Sequence, residues 1–365
     1  MRKCCAREGA YLTDCRLRDR DAVVTNEGLI FRVYGCSHPP NAFICDPEYA
    51  PSNLYKSTDP KACRGKGKTK YYKFYADEGL RFVQQNFPQY MVWHESLQRK
   101  LVGVYQKHIK TARLPDATLQ SLLRKRPEDP LLQALHSVLD LVLERTNLSE
   151  SDFGVFGSLL NNFYHPSFSD LDLIVYGNEP ANSLEETLKT LYAEANSPLC
   201  NEFENLDSVR DKHWRFVNYR LTEYFWHQRR KHIYGLFVGQ KRDRTIKIEF
   251  EPVKRWEEIQ SEYDQKTRID LLGWVKMIAR VTEDREGAFM PSSYSVEPIR
   301  ILEGPAVESI ERVVSFVEEF RMQAQKDELI YVEGTVEKVI STESYNQVVL
   351  TYGPRYYEQV LKVMP

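Results

Sequence analysis

Two aspartates stand one residue apart in Asp170-Leu171-Asp172, and Leu173, Ile174 and Val175 follow. The alternation of acid and leucine has a period of two, so a strand here sends both carboxylates off one face. Such a pair repels itself and is costly without a cation. Magnesium suits it, because that ion takes carboxylate oxygens and keeps waters and substrate phosphates as its other ligands. Just upstream, Val155-Phe156-Gly157-Ser158 reads as a strand ending at a glycine, then a serine that opens a helix. Exposed N–H groups and the positive end of a helix dipole at such a turn suit the β- and γ-phosphates of a nucleoside triphosphate. Eleven residues separate Ser158 from Asp170, enough for a short helix and a return to the neighbouring strand. Transfer from a triphosphate needs both parts: a phosphate cradle, and divalent ions that neutralise the attacking and leaving oxygens.

A third carboxylate is then required on an adjacent strand. Ile246-Lys247-Ile248-Glu249-Phe250-Glu251-Pro252 supplies it, with Lys247, Glu249 and Glu251 on one face and Ile246, Ile248 and Phe250 on the other. Either glutamate completes the set. Ser167 and Ser169 precede the first aspartate and are candidates for phosphate or metal-water contacts, local turn hydrogen bonding being the plainer reading.

The elements that must position these residues can be read from periodicity. Ala22–Thr25 and Leu29–Tyr34 flank a turn-sized connection and predict a hairpin. Ala42–Cys45, Tyr71–Tyr75 and Leu101–Lys107 are further strands, and residues 78–86 a short helix. Asp129-Pro130 starts a helix whose apolar face is Leu131, Leu135, Val138 and Val142. Phe153–Phe156 and Leu171–Tyr176 are strands around the Gly-Ser turn. Ser183-x-x-Glu186 reads as a capping box ahead of Leu184, Leu188 and Leu191. An aromatic-rich, mostly helical segment covers about 202–230, and Tyr234–Val238 with Thr245–Glu251 predict a second hairpin. After Pro252, strand-like runs at Ile269–Val281, Ala288–Met290, Val313–Phe320, Leu329–Ile340 and Val348–Tyr352 suggest a small barrel. The expected division is a β-rich module over 1–114, a helical linker over 115–149, an α/β core over 150–254 and a β-rich module over 255–365.

The 365 residues are 42% hydrophobic and 28% charged, the balance of a globular chain rather than a disordered one. A formal net charge of −2 gives no global basic field, so nucleic-acid contact would rest on local patches. One such patch is Lys61, Arg64, Lys66, Lys68, Lys70 and Lys73, interleaved with Tyr71, Tyr72 and Phe74. It suits RNA by phosphate contact and stacking, although a solvated loop is the plainer reading. Gln228-Arg229-Arg230-Lys231-His232 suits a triphosphate or acceptor, and equally the charged end of a helix. Trp214, Phe216, Tyr219, Tyr224, Phe225 and Trp226 read as core, with one ring free to stack on a base as the lesser alternative. The seven cysteines have no C-x-x-C pair. Cys36, His38, Cys45 and Cys63 therefore read as ordinary side chains in a reducing cytoplasm rather than as a metal cage. No stretch approaches the roughly 18–20 apolar residues of a membrane span, and no apolar segment follows the basic start as a secretory signal would.

The run h-Gly-Ser, Asp-h-Asp-h and a distant h-acid-h resembles the polymerase-β-type nucleotidyltransferase superfamily, which includes CCA-adding enzymes, poly(A) polymerases and minimal MNT-type proteins. In archaeal CCA-adding enzymes the third acid is followed by two residues and then proline, which singles out Glu249 in Glu249-Phe250-Glu251-Pro252. The superfamily usually has aspartate there, so glutamate is a departure, and Glu251 is the substitute candidate. Over the whole chain, Arg18-Asp19-Arg20-Asp21, Glu27-Gly28-Leu29 and His38-Pro39-Pro40 resemble a family of uncharacterised archaeal predicted nucleotidyltransferases, which brings no acceptor with it. The resemblance implies an α/β nucleotidyltransferase core between two β-rich modules. Asp170, Asp172 and Glu249 would hold Mg²⁺, or Mn²⁺ in its place, and Gly157, Ser158 and Ser169 would bind a triphosphate such as ATP. The expected partners are that triphosphate and an acceptor, RNA first and a protein side chain second; a membrane is not among them. One alternative is an inactive core serving as an RNA- or protein-binding platform. Another, a sugar-nucleotide glycosyltransferase using the Asp-x-Asp, is disfavoured by the Gly-Ser turn and the downstream acid strand.

Overall fold

A computed structural model describes residues 16–66, 69–75, 77–204, 215–239, 244–260, 263–353 and 355–364. The chain divides into two compact units. The first comprises Met1–Leu139, Ser149–Ile174 and Lys254–Asp264; the second comprises Asp140–Leu148, Val175–Val253 and Gln265–Pro365.

In the first unit, β1 (Ala22–Thr25) and β2 (Ile30–Val33) form the expected antiparallel hairpin, with Val23 opposite Phe31. They belong to a larger sheet with β3 (Ala42–Pro51), β4 (Cys63–Lys66), β5 (Thr69–Lys73), β6 (Met91–His94), β7 (Arg99–Tyr105) and β8 (Ile109–Arg113). Its order is β4-β5-β3-β2-β1-β8, with β7 paired to β3 and β6 to β7. Val23, Phe31, Val33, Phe43, Tyr90 and Val104 fill its core. The helix α1 (Glu78–Asn86) packs on β3, and α2 (Pro115–Leu123) begins directly after β8.

The helix α3 (Pro130–Arg145) starts at a proline, where no N–H is needed. The Asp129 carboxylate accepts from the N–H groups of Leu131 at 2.9 Å and Leu132 at 3.0 Å. All four residues of its apolar face are fully buried. Then come β9 (Phe153–Val155), the single turn α4 (Gly157–Leu160) and β10 (Leu171–Tyr176).

The helix α5 spans Asn178–Ala193, so Ser183 lies inside it and is not its cap. Gly177, at a φ of 101°, turns the chain out of β10 at once, and Pro180 is tolerated in the first turn because it owes no hydrogen bond there. After it come β11 (Leu199–Asn201), α6 (Leu221–Arg229), β12 (Tyr234–Val238) and β13 (Thr245–Val253). In the second unit β11 pairs antiparallel with β12. Within it β12 and β13 are antiparallel, with Tyr234 opposite Glu249. The fold class is thus the mixed α/β arrangement the sequence implies.

The remaining strands of the second unit are β14 (Arg268–Glu283), β15 (Ser292–Glu303), β16 (Arg312–Ser315), β17 (Leu329–Ile340), β18 (Ser344–Leu350) and β19 (Val360–Val363). Pairing runs β14-β15-β16-β18-β17 and returns from β17 to β14, which closes a barrel; β19 adds to β17. Two expected strands are corrected. The segment 288–290 is not a strand but leaves a 3₁₀ turn at Arg285–Ala288, and the run from Val313 stops at Ser315. There the Ser315 hydroxyl accepts from the Val317 N–H at 3.1 Å and bends the chain. Both runs are apolar because they are buried, since Phe289, Met290, Val317 and Phe320 are all core residues. No helix among the described residues is long and apolar enough to cross a membrane.

His227 on α6 ties that helix to the barrel. Its Nδ1 bonds to the Glu223 carbonyl at 2.7 Å, while Nε2 accepts from the Val363 N–H at 3.0 Å. Burial of the ring lowers its pKa from 6.5 to about 4, outweighing the bond to the Glu223 carbonyl, which pushes it up. Between those two values the unfolded chain binds more protons at this site, so the stability it contributes is complete above pH 6.5 and drains away as pH falls toward 4. The thermal midpoint should therefore drop on acidification from pH 7 to pH 5. His227→Gln should lower the neutral-pH midpoint and flatten that dependence, which melts of both proteins over a pH series would show.

Candidate active site

The Val155–Ser158 segment and the start of β10 meet closely in the first unit. The Phe156 N–H donates to the Asp172 carbonyl at 3.0 Å. Gly157 follows at a φ of 60°, in the left-handed region that favours glycine. A Cβ at Gly157 would fall on the Asp172 carboxylate. Glycine is therefore required twice, by the backbone angle and by the acid packed against it. Asn161, just past α4, closes the turn: its side-chain amide donates to the Gly157 carbonyl at 2.8 Å.

Asp172 lies on β10 and is half-buried, whereas Asp170 is exposed and immediately precedes the strand. Asp170 thus sits at the entrance of β10 rather than within it. Ser169 is tied into the turn before it, its hydroxyl accepting from the His165 N–H at 2.8 Å and its own N–H reaching the His165 carbonyl at 3.0 Å. Tyr49 packs its ring edge-on to Phe163 at 4.8 Å, and Tyr71 stacks on the same ring at 5.4 Å. Burial holds the Tyr49 hydroxyl protonated well above its ordinary range, and the nearby acids Glu48 and Asp172 push the same way.

In the second unit the acid face of β13 is charge-matched. Lys247 lies 3.5 Å from Glu202. Arg321 reaches Glu251 at 3.3 Å and Glu249 at 3.7 Å. The Arg321 side chain is 1% exposed, that of Glu251 3% and that of Glu249 22%. Glu251 is thus the shielded partner of a buried guanidinium, and Glu249 is the more accessible of the two acids. Arg321 is held by its neighbours: the Tyr294 hydroxyl donates to the Phe320 carbonyl at 3.0 Å, and the Met322 N–H to the Gly287 carbonyl at 2.8 Å. Lys231 is buried beside this group, donating to the Gln228 side chain at 3.2 Å and the Glu319 carbonyl at 2.6 Å. Burial drives its pKa well below the ordinary lysine value, and the nearby Arg321 adds to that.

The other sequence candidates find mostly structural places. Of the basic cluster after α6, Arg230 pairs with Glu328 and lies over Trp226, and His232 is 3.5 Å from Glu185. In the basic–aromatic patch Phe74 is core. Lys68 and Trp214 fall outside the described residues. Phe216 and Tyr219 are core residues of the barrel, Tyr224 and Phe225 pack on Phe203, and Trp226 is 44% exposed. The His38 Nδ1 accepts from the Ile44 N–H at 3.2 Å, and the Cys45 thiol donates to the Phe43 carbonyl at 3.4 Å. Among the described residues no three His, Cys, Asp or Glu side chains are gathered as a metal cage. Asn161 and Arg321 were not singled out from the sequence. A polar residue four positions after the glycine was the one signal available for Asn161; nothing local marks Arg321.

Residues 137–232 match the family model described as a nucleotidyltransferase domain. That span contains Gly157, Ser158, Asp170 and Asp172 and ends before β13. Over nearly its whole length the chain is similar to the uncharacterized protein MJ1086 of Methanocaldococcus jannaschii, 25% identical over 357 residues, covering 95% of this chain and 99% of that protein. No solved structure matches the chain.

Gly157→Ala should cost about 1–2 kcal/mol from the left-handed backbone alone, with the overlap on Asp172 added to it. Gly353→Ala, where a Cβ meets nothing within 4 Å, should be nearly neutral. Chemical denaturation of the two variants beside the parent would check the contrast; equal stabilities would show the turn to be slack.

Proposed function

We propose that this chain is a magnesium-dependent nucleotidyltransferase that moves a nucleoside monophosphate from a triphosphate to an acceptor hydroxyl on RNA. The observation that carries the reading is Gly157 folded against the Asp172 carboxylate, which supports a phosphate cradle beside a metal-binding acid. Asp170 and Asp172 present oxygen donors that are exposed and half-buried, the chemistry a hard divalent ion requires. Glu249 is the third ligand on this reading, and its greater exposure supports it over Glu251. A bound magnesium would neutralise charge on the triphosphate and lower the cost of deprotonating the acceptor. The chain's own part is positional. Gly157 and Ser158 hold the terminal phosphates, and the aspartates orient the α-phosphate toward the acceptor. The acceptor oxygen then forms its bond to the α-phosphorus as the bond to the β-phosphate oxygen breaks and pyrophosphate leaves.

One observation favours the binding-platform reading: Arg321 already lies against Glu249 and Glu251, and a protein cation there could stand where a metal otherwise would. The double change Asp170→Asn and Asp172→Asn separates the two readings. If the pair serves a metal, removing its mutual repulsion leaves the metal-free midpoint unchanged or slightly raised and abolishes label transfer from nucleoside triphosphates to total cellular RNA. A fall in stability of a few kcal/mol with transfer intact would make the carboxylates structural. Absence of transfer by the parent and the variant alike would favour the platform.

Ser158→Ala addresses the cradle. Calorimetry with Mg²⁺ present should show ATP binding weakened more than AMP binding, because the contact is to the terminal phosphates. Equal losses for both nucleotides would contradict the assignment.

A further inference from the structure

Arg113, the last residue of β8, is a half-buried guanidinium in an unusual setting. Its Nη1 donates to the Asn161 side-chain carbonyl. Asn161 is itself 4% exposed and donates in turn to the Gly157 carbonyl at 2.8 Å. Two side chains therefore link Arg113 to the glycine turn. Other partly buried arginines of this unit have acids: Arg32 pairs with Asp46 at 2.9 Å, and Arg255 with Asp152. Among the described residues no carboxylate pairs with Arg113, and the Tyr71 hydroxyl is the one titratable neighbour that acts on it. Burial accordingly pulls its pKa down. Removing a guanidinium from water without a counter-ion is costly, and the cost is offset when a substrate supplies the anion. One donor of the planar fork goes to Asn161; the rest suit bidentate contact with phosphate oxygens.

We propose that Arg113 is a phosphate-binding residue, contributed by the β-rich module, that grips an oxyanion of the substrate beside the Gly157 turn. The link through Asn161 to Gly157 favours the terminal phosphates of the triphosphate over a phosphate of an RNA acceptor. The proposal rests on the nucleotidyltransferase reading and deepens it. It adds a positive charge that the Gly-Ser turn itself does not provide.

The test is a binding series on the full chain with Mg²⁺ at low salt, using inorganic tripolyphosphate, ATP, AMP and a short single-stranded RNA as probes. Arg113→Met should weaken tripolyphosphate and ATP by about tenfold or more and leave AMP nearly unchanged, with Arg113→Lys recovering part of the loss. Asn161→Ala, which keeps the guanidinium, should weaken the polyphosphates less than Arg113→Met does. A loss confined to RNA would place the same contact on an acceptor phosphate. Unchanged binding of every probe by Arg113→Met would overturn the proposal alone, and so would equal losses for ATP and AMP, which mark a merely structural role. If Arg113→Met does not fold, Arg113→Lys decides the matter: it should lose polyphosphate affinity selectively, since lysine keeps the charge without the fork, and no selective loss would overturn the proposal. A parent chain that binds neither polyphosphate nor RNA would remove this proposal and the nucleotidyltransferase reading together.

Discussion

The Phe156 N–H bonds to the backbone of Asp172, and the next residue turns left-handed against that same aspartate's carboxylate. The steric demand at this point is severe, because no side chain larger than hydrogen leaves the acid where it stands. Strand β9, the turn α4 and strand β10 are thereby held together, with the Gly157 turn packed on the Asp172 carboxylate. Asn161 then closes the turn from behind, and Tyr49 and Tyr71 wedge Phe163 beside it. The β-rich sheet of the first unit is thus part of the site's support, and Arg113 shows the chain using that sheet for charge as well.

Strand β13 poses a different electrostatic problem. Lys247, Glu249 and Glu251 share one face, and burying such charges costs several kcal/mol each unless partners are close. Glu202 and Arg321 are those partners. Arg321 comes from a segment between barrel strands that is locked by the Tyr294 hydroxyl and by Gln323, whose side chain donates to the Leu361 carbonyl at 2.8 Å. The acid strand therefore takes its charge balance from a barrel whose strands begin only later in the sequence, and truncating that barrel would disturb the acids directly.

Much of this was legible from residue order because it depended on local periodicity. Strands Leu171–Tyr176 and Leu329–Ile340 and helix 78–86 appear at their expected limits, since alternation and helical spacing are properties of neighbouring residues. The turn at Gly157-Ser158, where β9 gives way to α4, was legible for the same reason, whereas Asp170 immediately precedes the strand expected to carry it. Ser183 misled because its capping pattern is real as a string, yet Gly177 starts the helix earlier. The apolar runs around 289 and 317 misled because burial, not strand pairing, explains them. Arg321 and Arg113 were invisible: each acts on residues tens of positions away, and nothing in their own neighbourhoods sets them apart.

Phe216 and Tyr219 precede α6, yet they belong to the hydrophobic core of the barrel whose first strand begins at Arg268. The Tyr219 hydroxyl donates to the Leu361 carbonyl, near the far end of the sequence, and accepts from the Gln323 side chain at 3.0 Å. The segment before α6 and the barrel are therefore interlaced rather than strung end to end. A gene fragment stopping at residue 254 would leave two large aromatic rings without the interior that holds them. Recombination that moved the stretch bearing Phe216 and Tyr219 would have to carry the barrel with it.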